Sequence, residues 1–171
     1  MITACDIEIA VAHKFNWRTT LIVPNVSWGW CLRHEADMII LRPSGWAMEV
    51  EIKVTKSDIK ADLKKLNSHY STRIRGLWFA VPDVLADCEF IPKEAGILSV
   101  STTDKQFFRT VTTIRSPKLN PHAERVTPAE FVKLAELGAM RIWSLKEKLL
   151  QMQRKFNSPR HGRTGSGWAN E

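Results

Sequence analysis

Apolar positions along the chain recur at two spacings, and these predict the elements. Ile7, Ile9, Ala10 and Val11 follow Thr3 and Asp6, a capping-box-like start, which predicts a helix over residues 4–15. Residues 19–26 read as a first strand and 36–41 as a second. From 46 to 54 the alternation Glu49, Val50, Glu51, Ile52, Lys53, Val54 has a clean period of two, a third strand. Helical spacing returns over 58–67, where Ile59, Leu63 and Leu66 form a stripe and Ser57 is the expected cap. Residues 76–81, ended by Pro82, and 95–102, after the Pro92 turn, are apolar strands. Residues 107–114 form an edge strand, and a basic, Pro-containing connector spans 115–126.

Thr127, Pro128 and Glu130 open a long helix over 127–154. Its stripe of Phe131, Leu134, Ala135, Ile142, Leu145, Leu149 and Met152 is widened by Val132, Leu137, Met140, Trp143 and Leu150 to much of the circumference. That width predicts cover on more than one side, by the sheet and by a second subunit in a homodimer. A strand–helix–strand order around 58–67 predicts a parallel, right-handed crossover. The fold class expected is α/β, a mixed central sheet flanked by helices.

The turn Pro43-Ser44-Gly45 sets a register. A three-residue hairpin loop favours a left-handed last residue, which Gly45 takes without a Cβ clash. Pairing Arg42 with Trp46 sets Leu41 opposite Ala47, Ile39 opposite Glu49, Asp37 opposite Glu51 and Glu35 opposite Lys53, all on one face. Met38, Ile40, Met48, Val50, Ile52 and Val54 line the other face, a core face. Opposed Cβ atoms lie roughly 5 Å apart, so the carboxylates and Lys53 converge on one small patch. Like charges opposed in this way are destabilising, and a divalent cation between them reverses the sign. Mg²⁺ takes one or two carboxylates, keeps several waters and binds phosphate oxygens. A Glu-x-Glu-x-Lys run also occurs as a solvated strand face; the opposed Asp37 favours the metal site.

These residues carry a resemblance. Asp37 followed, after a hairpin, by Glu51-Ile52-Lys53 resembles the core motif of the PD-(D/E)XK nuclease superfamily. Glu49 to Lys53, Ser57-Asp58, Lys60 to Lys64, Trp78 to Pro82 and Pro92 to Leu98 resemble the MmcB-like group of DNA repair proteins within it. The resemblance covers about residues 1–150. It implies a restriction-endonuclease-like fold over 1–154, with Mg²⁺ or Mn²⁺ held by Asp37 and Glu51 and with Lys53 assisting water or transition-state charge. Glu35 and Glu49 share that face; either can hold a second ion, and Glu35 can instead neutralise Lys53. The first helix of such nucleases often supplies an acid, which by position is Glu8; a solvated helix face is the alternative.

Composition changes this picture only by adding a partner. The chain has 171 residues and a formal net charge of +7, with a pI near 9.5, which favours a polyanion, DNA before membrane. Lys56, Lys60, Lys64 and Arg73, extended by His69, Tyr70 and Arg75, are the expected phosphate contacts. Trp28 and Trp30 either stack on bases or cover a core edge. His34 either assists the chemistry or makes a structural hydrogen bond. Three separated cysteines (Cys5, Cys31, Cys88) exclude a disulfide framework. With no leader-like N-terminus and no long apolar run, the expected location is the cytoplasm, with no membrane partner. Residues 155–171 read as a flexible basic tail. The expected function is hydrolysis of DNA by a divalent-metal-dependent nuclease. The alternatives are a catalytically inactive nuclease-fold protein that binds nucleic acid or a protein, and a partner-binding protein built around the long helix.

Overall fold

The structure, a computed structural model, describes residues 2–27, 30–32, 34–62, 71–103 and 109–157. By internal contacts the chain divides into two units, Met1–Ala139 and Met140–Glu171. In order the elements are α1 (Ala4–Lys14), β1 (Leu21–Val26), β2 (Ala36–Leu41), β3 (Ala47–Ile52), α2 (Lys56–Asp62), β4 (Ile74–Pro82), β5 (Gly96–Val100), β6 (Val111–Arg115) and α3 (Pro128–Asn157). A short 3-10 turn, Asp83–Leu85, follows β4.

The first unit is built on one six-stranded sheet whose strands lie in chain order, β1 to β6. The β1–β2, β2–β3 and β5–β6 pairs are antiparallel, and β3–β4 and β4–β5 are parallel. The mixed α/β architecture and the parallel crossover are therefore as expected. Pro24 is accommodated because β1 is an edge strand, where a missing N–H costs no ladder bond.

The hairpin register follows the turn. Gly45 has φ +83°, its N–H donates to the Arg42 carbonyl, and the Arg42 N–H donates to the Trp46 carbonyl. Ile39 pairs with Glu49 and Leu41 with Ala47, as predicted. The ladder between β2 and β3 ends at Met38 and Val50, so the expected Asp37–Glu51 and Glu35–Lys53 pairs lie beyond it, and Glu35 lies outside β2.

Each helix start has a side-chain reason. Thr3 and Asp6 form a reciprocal capping box on α1, and Thr127 and Glu130 form one on α3. At α2 the reciprocal pair is Thr55 with Asp58. Ser57, the cap expected from sequence, lies inside the helix instead, because Thr55 is correctly spaced from an acid. The expected extension of α2 through 63–67 lies outside the described residues, as do 107–108 of the edge strand and the tail from 158 onward. Residues 155–157 belong to α3.

Both sheet faces are covered. On one, Met38, Ile40, Met48, Val50, Trp78 and Leu98 pack against Ile7, Ala10 and Val11 of α1. The other face carries two apolar clusters. Val23, Ile39, Leu41 and Ala47 meet Trp30 and Leu134 of α3. Phe79, Val81 and Ile97 meet Ile59 of α2 and Ile91. Glu49 and Glu51 alternate with the α1-facing residues, so the period of two that buries Val50 also sends both carboxylates to this second face.

On α3 the sheet covers one position. Leu134 is its one buried residue, whereas Phe131 and Val132 are about half exposed. In the second unit every residue from 140 to 157 is exposed.

A candidate metal centre at the open end of the β2–β3 hairpin

Glu51 and Lys53 sit where β3 ends, at the carboxyl edge of a parallel strand, the usual place for a site in an α/β sheet. Lys53 Nζ lies 2.5 Å from Glu51 Oε2, 3.3 Å from Asp62 Oδ1 and 3.7 Å from Asp37 Oδ2. The start of β2 supplies Asp37, whose Oδ2 also accepts the Ile52 N–H at 2.7 Å and so closes the hairpin where the ladder stops. From the loop before β2 comes His34, whose Nε2 is 2.6 Å from Glu49 Oε1. His34, Glu49 and Glu51 offer three ligand atoms within 4.8 Å of one another. The Glu49 side chain is fully buried, and those of Glu51 and Asp62 are 4% exposed.

Burial of this much negative charge has a cost, and the carboxyl groups register it. Desolvation, then the neighbouring Asp37 charge, pushes Glu51 up to about 7 against the pull of Lys53. Glu8 of α1 is also raised, first by its own burial and then by Asp37, so it belongs to the same electrostatic neighbourhood. Burial works against the Lys53 ammonium, but Glu51, Asp37 and Asp62 outweigh it and hold the group above the ordinary lysine value.

Four carboxyl groups (Asp37, Glu49, Glu51, Asp62) thus surround one lysine and one histidine. Glu51 Oε1 is buried and receives no hydrogen bond among the described residues. A cation fits these observations: it satisfies that oxygen and offsets the excess charge. His34, Glu49 and Glu51 are the residues able to hold one, with Asp37 alongside. Carboxylates suit Mg²⁺ and Mn²⁺ alike, whereas an imidazole suits transition ions, so the mixed set favours Mn²⁺ over Mg²⁺.

The loop bearing His34 is fixed from a distance. Trp30 Nε1 donates to the Glu130 carbonyl at 2.9 Å, and the Cys31 thiol to Glu130 Oε1 at 3.1 Å. Arg73 Nε meets the same carboxylate at 2.7 Å, and its other arm pairs with Glu124. Burial alone would raise Glu130, but the Thr127 N–H and hydroxyl, Cys31 and Arg73 together bring it to about 2.

Several expected residues fall elsewhere. Glu35 is exposed and has no ion pair or hydrogen bond with the described residues; Lys53 is neutralised by Glu51, Asp62 and Asp37 instead. Trp30, 1% exposed, is core and cannot stack on a base. Arg73 is tied to two glutamates and is not available to a phosphate. Lys56 pairs with Glu89 and, with Lys60, lies over the Phe90 ring, so both keep their ammonium groups near the surface. Trp28 and Lys64 lie outside the described residues. Asp62 is an addition to the site, and His34 makes a hydrogen bond with Glu49 and lies within the candidate ligand set.

A basic feature, of which only Arg75 was expected from sequence, lies at the opposite, turn end of the hairpin. The guanidinium carbons of Arg75 and Arg125 lie 4.6 and 5.5 Å from the Trp46 ring centroid. Arg42 joins Trp46 and Arg75 in lining a cavity of about 420 Å³ that no carboxylate borders.

No family model matches this sequence, and no curated protein matches it. A solved structure of a protein of unknown function from Silicibacter pomeroyi is similar: 19% identical, TM-score 0.58, covering 96% of this chain and 98% of that one. At this identity the likeness speaks to the fold alone. Among the described residues no helix is long and apolar enough to cross a membrane.

Proposed function

We propose that this chain is a divalent-metal-dependent nuclease of the PD-(D/E)XK type that hydrolyses DNA phosphodiester bonds. The observation that carries this reading is the convergence of Asp37, Glu51 and Lys53 on one end of one hairpin, with Glu49 and His34 completing a ligand set. When bound there, Mn²⁺ or Mg²⁺ supplies a Lewis acid and lowers the pKa of a bound water. His34, Glu49 and Glu51 hold the ion, and Asp37 fixes the strand end through the Ile52 N–H. Lys53 remains an ammonium because three carboxylates surround it, so it acts as fixed positive charge beside the phosphate rather than as a base. Arg42, Arg75 and Arg125 offer backbone phosphates a contact away from the chemistry.

A second reading is a nuclease-like fold that binds nucleic acid without cleaving it. It is favoured by the saturation of Lys53, whose charge is already committed to Glu51, Asp62 and Asp37. One experiment separates the two. Wild type and Lys53→Ala are incubated with duplex, single-stranded and branched DNA in Mg²⁺, Mn²⁺ and EDTA. The nuclease reading expects cleavage that EDTA and Lys53→Ala both abolish while DNA affinity persists. Absence of cleavage on every substrate selects the binder.

A further inference from the structure

The second unit presents a helix whose apolar side chains lie open. Five of them, Ile142, Leu145, Leu149, Met152 and Phe156 of α3, follow one another at alternating steps of three and four. All five are at least half exposed, Phe156 at 94%. At about 100° per residue they fall within an arc of roughly 80°. That is the width of a coiled-coil seam, with these residues at a and d, and is narrower than the stripe of a helix laid on a core.

The positions beside the seam decide what covers it. Lys146 is at e, Lys148 and Lys155 at g, and Gln153 at the other e. Glu147, the one acid between 140 and 157, sits at f, facing away. In a pair of identical helices basic flanks would meet, Arg141 at g facing Lys146 at e when parallel and Lys148 and Lys155 at g facing each other when antiparallel, which is destabilising. Charge therefore argues against the homodimer expected from the apolar pattern. A lipid surface is also a poor match: Trp143 and Leu150 at b are separated from the seam by Lys146 and Gln153, so the apolar positions do not form one continuous face.

We propose that residues 142–156 of α3 form one strand of a heteromeric coiled coil, whose other strand is an acidic helix of a different protein. That helix carries apolar residues at a and d and Asp or Glu at e and g. Every residue of α3 from 140 to 157 is exposed, and the partner supplies the packing that this part of the helix lacks. Such pairing is independent of any nuclease activity.

The test uses the full chain and a synthetic helical peptide with Leu at a and d and Glu at e and g. Its control has Lys at e and g. Calorimetry should show the Glu peptide binding at least about tenfold tighter, with an affinity that falls as salt rises. In the variant Lys146→Glu/Lys148→Glu/Lys155→Glu the preference should invert, and Leu145→Asp/Leu149→Asp should abolish binding. Equal affinity for both peptides, or none for either, overturns the proposal. So does a dimer in sedimentation equilibrium that Leu145→Asp/Leu149→Asp dissolves, which gives the face to a second copy. Binding to phosphatidylserine vesicles in preference to the Glu peptide overturns it too, and gives the face to a membrane.

Discussion

Lys53 Nζ and Glu51 Oε2 lie 2.5 Å apart, two residues from each other in sequence and both nearly closed to water. The pair does not balance itself, because Asp62 and Asp37 lean on the same ammonium. The whole group depends on one cation. Lys53→Ala should therefore destabilise the metal-free protein by about 3 kcal/mol at pH 8, the range for stranding buried charge. Urea unfolding measures it, and Mn²⁺ should restore part of the loss. A change below about 0.5 kcal/mol, the level of an ordinary surface substitution, would mean that the carboxyl groups are not relying on Lys53.

Glu51→Gln should act in the opposite direction. The folded-state value of Glu51 is raised to about 7 from an ordinary 4.5, so folding favours its protonated form. Its contribution is full below about pH 4.5 and is lost as pH rises through 7. An amide removes that dependence. At pH 8, without metal, Glu51→Gln should be more stable than wild type and melt at a higher temperature, the gain being about 3 kcal/mol at most. Divalent-metal binding should disappear with the carboxylate. A variant that melts lower at pH 8 would show that Glu51 is stabilising as an anion.

His34 distinguishes the ions. If an imidazole nitrogen is a ligand, His34→Ala should weaken Mn²⁺ binding more than Mg²⁺ binding, since Mg²⁺ gains less from nitrogen. Calorimetric titrations with both metals provide the comparison. Equal losses would remove His34 from the ligand set and leave it as a partner of Glu49.

Acid should loosen the clasp around Glu130. Its folded value of about 2 lies below the ordinary 4.5, so its stabilisation is present above pH 4.5 and lost as pH falls toward 2. Glu130→Gln should cost on the order of 2 kcal/mol at pH 7, discounted for its partial exposure, and almost nothing at pH 2. Urea midpoints of the two proteins at pH 7, 4 and 2.5 should therefore converge. Parallel curves would place the effect in packing.

DNA affinity should follow the arginines around Trp46. Replacing Arg42 and Arg125 together with glutamine should flatten the dependence of log Kd on log salt by about two units, one for each phosphate that is no longer neutralised. Arg73→Gln should leave the slope unchanged, because Glu124 and Glu130 already occupy that guanidinium. The reverse pattern would return the binding surface to Arg73.

Local chemistry was legible in the sequence and distant chemistry was not. Gly45 announced its turn, the turn fixed Ile39 against Glu49, and the spacing of Thr3 to Asp6 and of Thr127 to Glu130 announced two helix starts. All of these act across a few residues. Trp30 was open to a base-stacking reading because its hydrogen bond reaches a residue 100 positions away. Arg73 read as a phosphate contact because its partners are 51 and 57 positions distant. Asp62 joined the site only once α2 had a face, and no periodicity says which polar residue of a short helix turns toward a strand end. Hydrophobic spacing on α3 predicts a helix, and Pro128–Asn157 is one, but the same spacing serves a core and a coiled-coil seam, and only the flanking charges distinguish them.

The strands stand in the sheet in the order in which they are synthesised. Every residue of the three-ligand set, and Asp37 with it, falls between positions 34 and 51. The loop that must close to assemble them is therefore short, and its entropic cost is small. A nascent chain can bring these ligands together before β4 has left the ribosome, with β1 already in place to flank the hairpin. Lys53 emerges next, whereas Asp62 and the α3 anchor of the His34 loop come later. Gathering the candidate ligands and the final locking of the centre are thus separable steps, the first needing only residues 34–51 and the second waiting on Asp62 and α3.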